Sequence, residues 1–388
     1  MSPTGFKAIF IRSVLQIVRR PIYWAAFFIL PLFCFLFLTN LMEDGLPSKV
    51  PAAMVDKDGS SLSRSITQNL NGMQMVDLVE NCNSFTDARH LMQEGKVFGY
   101  FLIPENFEAD LMAGRKPVIT FYTNMTYFVP ASLLFKTFKT TALYTKAGVA
   151  MTVFESVGAD PNQVATMLMP VNINARGINN PGLNYAIYLC NSFLPCTLQL
   201  MILLVTCFSL GQEIKYGTSV RLMQMARGSI VRALFAKLLP QTCIWMVIAI
   251  FMESWLFNIN GFPMHGSWLW ITLSELMFVL ACQGLALFFF GVFPNLRLSL
   301  SISALTGILS FSIAAFSFPV ESMYPAIGIF SWILPIRYNF LIYIDQALNG
   351  IHIYYSRIWF VAYIVFMVIP FTMLWKIKRS MLRPVYAP

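Results

Sequence analysis

The 388-residue chain is 57% hydrophobic and 12% charged, with a formal net charge of +9. Apolar runs of about 20 residues recur in it and read as membrane-crossing helices, which excludes an ordinary soluble domain. Residues 43–182 hold 11 basic and 13 acidic residues, so the positive excess lies beside the apolar runs, a pattern of membrane topology rather than of nucleic-acid binding.

In chain order, residues 5–20 put Phe6, Ile9, Phe10, Ser13, Val14 and Ile17 on one helical face, with Lys7, Arg12 and Arg19 off it. This predicts an interfacial helix within segment 1–21, its basic side toward anionic membrane lipids. Residues 22–42 form the first span, with Pro31 as its expected kink. A basic start before an apolar core also suits a secretory signal. The core is long, however, and Thr39-Asn40-Leu41-Met42 offers no small-residue cleavage site, so a retained helix is expected.

Residues 43–182 read as one soluble domain, with strands at 50–55, 73–79, 96–103 and 117–122 and helices at 60–70, 84–94, 106–112, 132–157 and 161–169. Strands alternating with helices predict an α/β or α+β layer. Ser84 with Asp87 three residues on is a helix start of the capping-box kind. Five more apolar runs follow within 183–377, at 183–210, 238–258, 268–293, 299–318 and 357–377, before a tail at 378–388. Fourteen basic residues then fall on one side: Lys7, Arg12, Arg19, Arg20; Lys215, Arg221, Arg227, Arg232, Lys237; Arg297; and Lys376, Lys378, Arg379, Arg383, opposed by Glu213 alone. The positive-inside rule therefore puts both termini in the cytoplasm and residues 43–182 outside, in a multi-pass inner-membrane protein. Between the last two spans, Pro319, Pro325 and Pro335 cut an apolar stretch into pieces too short to cross. They predict an outer re-entrant hairpin at 319–350, or an amphipathic loop on the surface.

The chemistry-bearing residues are sparse. Six of the seven cysteines lie in apolar runs and only Cys82 in the polar region, so neither a disulfide framework nor metal-ligand spacing emerges. No phosphate-binding GxxxxGK[ST] loop occurs, and His90, His265 and His352 lie in different segments. The chain is therefore expected to be a non-enzyme with no cofactor of its own. Glu253 and Glu275 fall inside spans, where a carboxyl usually faces a partner or a cavity, which makes them candidates for a polar pathway. Glu321, Arg337 and Asp345 in the hairpin suit either an outer gate or ordinary loop ion pairs.

Three places carry a family resemblance. The first is Gly211-Gln212-Glu213-Ile214-Lys215-Tyr216-Gly217-Thr218, followed by the Gly228-Ser229 break and a helix ending in Lys237. The second is Val55-Asp56-Lys57-Asp58-Gly59 with Ser63, then Gly95-Lys96-Val97-Phe98-Gly99-Tyr100, Ile103-Pro104-Glu105-Asn106-Phe107 and Gly114-Arg115. The third is Leu334-Pro335-Ile336-Arg337-Tyr338, ending at Gly350. In order and topology these resemble ABC-2 type export permeases with a large extracytoplasmic domain after the first span. Glu213 here stands without the second acid common in that family, and Gly228-Ser229 replaces a proline.

The resemblance implies a polytopic α-helical membrane protein with six spans and an inserted α/β domain, working as a dimer with itself or with a sister permease. It implies separate ABC ATPase subunits that hold ATP and magnesium, an amphipathic or hydrophobic substrate moved outward, and a periplasmic adaptor as a further partner. It places the coupling loop at 211–237, with Glu213, Tyr216, Gly217, Thr218, Arg221, Leu222, Met225 and Arg227 as docking residues. Leu222, Met223, Met225 and Ala226 would form the contact, with Arg221 and Arg227 at its rim. Glu213 would pair with a basic residue of the N-terminal helix or of the ATPase. The alternative is an ABC-linked mechanical or signalling protein that moves its outer domain without carrying a substrate.

Overall fold

The computed structural model describes residues 5–43, 45–156, 160, 177–316 and 318–385. The chain divides into two compact units, Met1–Gly45 with Gly177–Pro388, and Leu46–Arg176. The expected helix at 161–169 lies outside the described residues.

The first unit opens with α1 (Phe6–Arg19), which buries Ile9, Ser13 and Ile17 against its own chain rather than lying on lipid alone. Pro21 then starts α2 (Pro21–Leu41) at a position where its missing N–H costs nothing. Further along, Pro31 has no N–H to close onto Phe27, and a π-helical turn at Ala25–Ile29 absorbs the mismatch.

The second unit holds a four-stranded sheet of β1 (Val50–Asp56), β2 (Val76–Asn81), β3 (Gly99–Ile103) and β4 (Thr120–Thr123), ordered β2-β1-β3-β4. Strand β1 runs parallel to β2 and β3, with Ala53 opposite Tyr100, and β4 closes the sheet antiparallel to β3. The helices are α3 (Ser61–Asn71), α4 (Phe85–Gln93), α5 (Phe107–Met112) and α6 (Phe128–Ser156). On one face of the sheet, Val50, Ala52, Met54 and Phe101 pack with Ile66 and Leu70 of α3 and Leu134 and Phe138 of α6. On the other, Ala53, Val55 and Tyr100 pack with Ala88 of α4. Burial on both faces explains why β1 reads as a continuous apolar run. Ser60 and Ser84 cap α3 and α4, each accepting at 3.1 Å from the N–H three residues on.

Strand β1 begins at Val50 as expected, but β2 and β3 begin later, because turns claim their first residues: Val76 N donates to Met73 O, and Lys96 N to Leu91 O beside Gly95 at φ +75°. By contrast α6 begins earlier than 132. Pro130 falls in its first turn, where the backbone N–H has no intrahelical acceptor in any case.

Back in the first unit come α7 (Tyr185–Lys215), the short α8 (Ser219–Met225), α9 (Ile230–Asn258), α10 (Trp268–Val292) and α11 (Leu296–Ile313). Next are α12 (Pro325–Ser331) and α13 (Pro335–Leu348), bent 77° from one another, and finally α14 (Ile353–Leu382). Among the described residues six helices are long and apolar enough to cross a membrane: α2, α7, α9, α10, α11 and α14. Helix α7 runs past its apolar stretch to Lys215, where Gly217 at φ +64° stops it, and α9 and α14 begin before theirs. Small residues let them approach closely. Ser299, Ser303, Gly307 and Ser310 are buried along one side of α11, with Gly307 facing Leu200 of α7. Gly284 of α10 lies against the backbone carbonyl of Phe366 in α14.

These two glycines should respond differently to an added methyl. Gly307→Ala meets the Leu200 side chain, which can rotate, whereas Gly284→Ala meets backbone, which cannot. Overpacking of this kind costs about 1–3 kcal/mol. Chemical unfolding in detergent should show the larger loss for Gly284→Ala, and equal losses would refute the backbone contact.

Candidate functional site

The stretch 211–237 is three pieces of helix joined by two tight turns. Gly217, at φ +64°, ends α7, and Arg227 and Gly228, at φ +54° and +76°, end α8. Ser229 caps α9, its hydroxyl accepting from Arg232 N at 3.4 Å. The helix after the break therefore does not end at Lys237, as the sequence suggested. It runs on to Asn258, and Lys237 sits two turns inside it.

There Lys237 is 2% exposed, and its Nζ lies 2.8 Å from Glu213 Oε1. The same Oε1 accepts from Gln16 Nε2 at 3.1 Å, and Lys237 Nζ also reaches Gln16 Oε1 at 3.1 Å. On the other carboxylate oxygen, Arg12 Nη2 donates at 2.7 Å and Thr218 Oγ1 at 2.5 Å. Four donors thus saturate a carboxylate that is itself 2% exposed. Arg20 of the same N-terminal segment donates to Gln212 Oε1 and stands 5.3 Å from the Tyr216 ring centre. Gly5 N caps Met225 O at 2.9 Å. One buried ion cluster therefore fastens the N-terminal helix, the end of α7 and the start of α9 together. Of the two partners open to Glu213, the structure places it with the N-terminal helix. Arg12 is turned into this cluster rather than toward lipid headgroups.

The inner face of α8 differs from the expectation. Leu222, Met223, Met225 and Ala226 are buried in the bundle core with Ile9, Leu210, Ala233 and Ile377, so they are not a surface for another chain. An amphipathic helix must bury its apolar side, and here its own bundle supplies the cover. The exposed side presents Tyr216, Gly217, Arg221, Gln224, Arg227 and Gly228. Beside it an open groove lined by Arg12, Arg19, Arg20 and Arg221 separates α1 from α8.

Toward the other ends of the spans, Glu253 and Glu275 lie close enough to act on one another's charge. Glu275 Oε1 accepts from Asn339 Nδ2 of α13 at 2.7 Å. Glu253 is buried, with Oε2 lacking a partner among the described residues. No ion pair joins Glu321, Arg337 and Asp345, although Glu321 lies near enough to Arg337 to act on its charge. Arg337 stacks 4.1 Å from the Trp332 ring, and Asp345 Oδ2 accepts from Ser356 Oγ at 3.0 Å and Trp359 Nε1 at 3.1 Å. Both already have neighbours of better shape, a flat aromatic face for the guanidinium and two neutral donors for the carboxylate.

Sequence reasoning missed Gln199, which is fully buried in α7. Its Nε2 donates to Ser310 Oγ of α11 at 2.7 Å, and its Oε1 accepts from Ile336 N in the first turn of α13 at 2.9 Å. One glutamine thus anchors the hairpin to two spans. An amide within an apolar run, like Asn191 eight residues earlier, was the available signal.

Six candidate spanning helices with a separate α/β unit and a charge-locked short helix define a polytopic membrane protein. The family model described as ABC-2 family transporter protein matches residues 21–375, and the chain belongs to that family. It is thus a permease subunit of an ABC transporter, and proteins of this family are generally non-enzymatic and generally work with ABC ATPases. No curated protein matches the chain significantly.

Removing one member of a buried pair strands the other charge, at a cost of about 3–5 kcal/mol, whereas replacing both with apolar residues is often neutral. Glu213→Leu alone should therefore destabilise the protein by about that much, and Glu213→Leu with Lys237→Met and Arg12→Met should recover most of it. Unfolding midpoints in detergent read this out. Equal losses in the single and triple variants would refute the cluster.

Proposed function

We propose that the chain is the membrane half of an ATP-driven exporter in the inner membrane, with both termini cytoplasmic and residues 43–182 extracytoplasmic. Two ATPase subunits hold the ATP and magnesium and dock on the exposed side of the loop: Tyr216, Gly217, Arg221, Gln224, Arg227 and Gly228. Two permeases, identical or sister chains, complete the pathway. The cargo is an amphipathic or hydrophobic molecule moved outward.

The observation that carries this reading is the cluster of Arg12, Glu213 and Lys237. A force applied to α8 cannot displace that helix alone, because Thr218 and Met225 at its ends are bonded to groups in α7 and the N-terminal segment. The push passes into α7 and α9 as a unit. At their far ends these spans lie among the polar contacts that hold the hairpin, where Asn191 Nδ2 of α7 donates to Tyr343 OH of α13. Motion of the loop is thereby converted into motion around the hairpin. In this arrangement Glu213 is a positioning residue, and the side chains that touch the ATPase are basic, aromatic and amide.

Charge reversal at the rim separates docking from folding. Arg221→Glu with Arg227→Glu is expected to leave the unfolding midpoint unchanged while lowering the amount of ATPase that co-purifies by about tenfold or more, since interfacial charge mismatches cost several kcal/mol. Leu222→Ala is expected to destabilise the permease itself by about 2–5 kcal/mol, because Leu222 is core. Undiminished co-purification of the ATPase with the doubly reversed variant would overturn the docking surface.

A further inference from the structure

The open groove between α1 and α8 holds about 490 Å³, and its charge is unbalanced. Arg12 and Lys237 share the carboxylate of Glu213, which is saturated and buried. Arg19, Arg20 and Arg221 line the same groove and meet no carboxylate among the described residues. Five positive charges thus gather around one negative charge. Arg20 is occupied by Gln212 and the Tyr216 ring. Arg19 and Arg221 are exposed and open to the groove.

Solvated arginines alone require no ligand, but one wall of this groove is apolar. Ala8, Ile11 and Leu15 of α1 form it, and Ile11 and Leu15 are nearly half exposed. Their helical spacing continues to exposed Val18, so an apolar row runs along α1 up to Arg19. Pro21 opens α2 two residues after α1 ends, which sets the groove where the first candidate span begins. A free phosphate would neutralise the arginines and leave the apolar row bare. An acidic protein segment would have to enter the headgroup layer to cover that row. A lipid with a net negative headgroup satisfies both walls from where it already lies.

We propose that this groove binds one anionic phospholipid. Its phosphodiester lies between Arg19 and Arg221, whose planar guanidinium groups fork onto phosphate oxygens, and an acyl chain follows Ile11, Leu15 and Val18. The lipid then joins α1 to α8 from outside, as the Glu213 cluster does from within. The site belongs to a single chain and needs no ATPase, and Arg19 lies outside the docking surface, so the two proposals stand or fall separately.

The test uses native mass spectrometry on the full-length protein in detergent, without ATPase, with phosphatidylglycerol and phosphatidylcholine of identical chains added in turn. One phosphatidylglycerol per chain is expected to bind about thirtyfold more tightly than phosphatidylcholine, the worth of two arginines near a membrane surface. Arg19→Gln with Arg221→Gln should remove that preference. Lys7→Gln with Arg297→Gln removes as much charge from exposed residues outside the groove and should keep it. Leu15→Ser should weaken both lipids alike. Equal binding of the two lipids by the unaltered protein would overturn the proposal and leave the groove to an acidic protein segment. Displacement of the lipid by glycerol phosphate at equal concentration would mark a site for the free anion, and an equal loss in the two double variants would reduce the effect to net charge. Either result would overturn the proposal as well.

Discussion

A lysine two turns inside a spanning helix must be paired or expelled, and the pairing of Lys237 with Glu213 at 2.8 Å governs this end of the protein. Isolated charges at such depth cost several kcal/mol, and attraction offsets that only when the remaining donors and acceptors are also satisfied. Arg12, Gln16 and Thr218 provide those contacts. The N-terminal helix is thus recruited to complete an ion pair between two spans. Its own apolar side, Ile9 and Ile17, is covered by the same step.

The turns follow from that constraint. For Glu213 at the end of α7 to meet Lys237 in α9, the chain between them has to reverse twice within 24 residues. Left-handed backbone at Gly217 and at Arg227–Gly228 allows this, leaving room for one short helix. That helix buries its leucine and methionines and exposes arginines. A loop with these properties is stiff in itself and charged toward its surroundings, which suits the transfer of force from another chain.

Much of this architecture was legible in the sequence. Spans of about 20 apolar residues announce themselves, and Ser84 capped the helix it was expected to cap. Helix ends were less legible, because apolarity reports the bilayer while hydrogen bonding decides where a helix stops. The pairing of Arg12 with Glu213, 201 residues apart, has no local signal at all. The four-residue spacing of Arg12 and Gln16 marks a shared face but not what it meets. The apolar side of α8 was assigned to a partner because an amphipathic pattern shows that a face is covered without showing by what. The hairpin acids were grouped for the same reason: opposite charges in one segment suggest pairing, while Trp332, Ser356 and Trp359 offered closer company.

The hairpin is organised by single polar contacts rather than by an ion cluster. Gln199 joins α7, α11 and the start of α13, and Asn339 joins α13 to Glu275 of α10. Such contacts break and reform at lower cost than the ion cluster, so the bundle is held more rigidly around Glu213 and more loosely toward the hairpin. The direct test of that asymmetry is a distance measured by pulsed electron spin resonance between labels on exposed Leu15 of α1 and Gln224 of α8, in bilayers with the ATPase present. One distance, the same without nucleotide and with ATP, is the result this account predicts. A nucleotide-dependent change across that gap would contradict it, because α1 and α8 would then move separately and the ion cluster would not transmit the load.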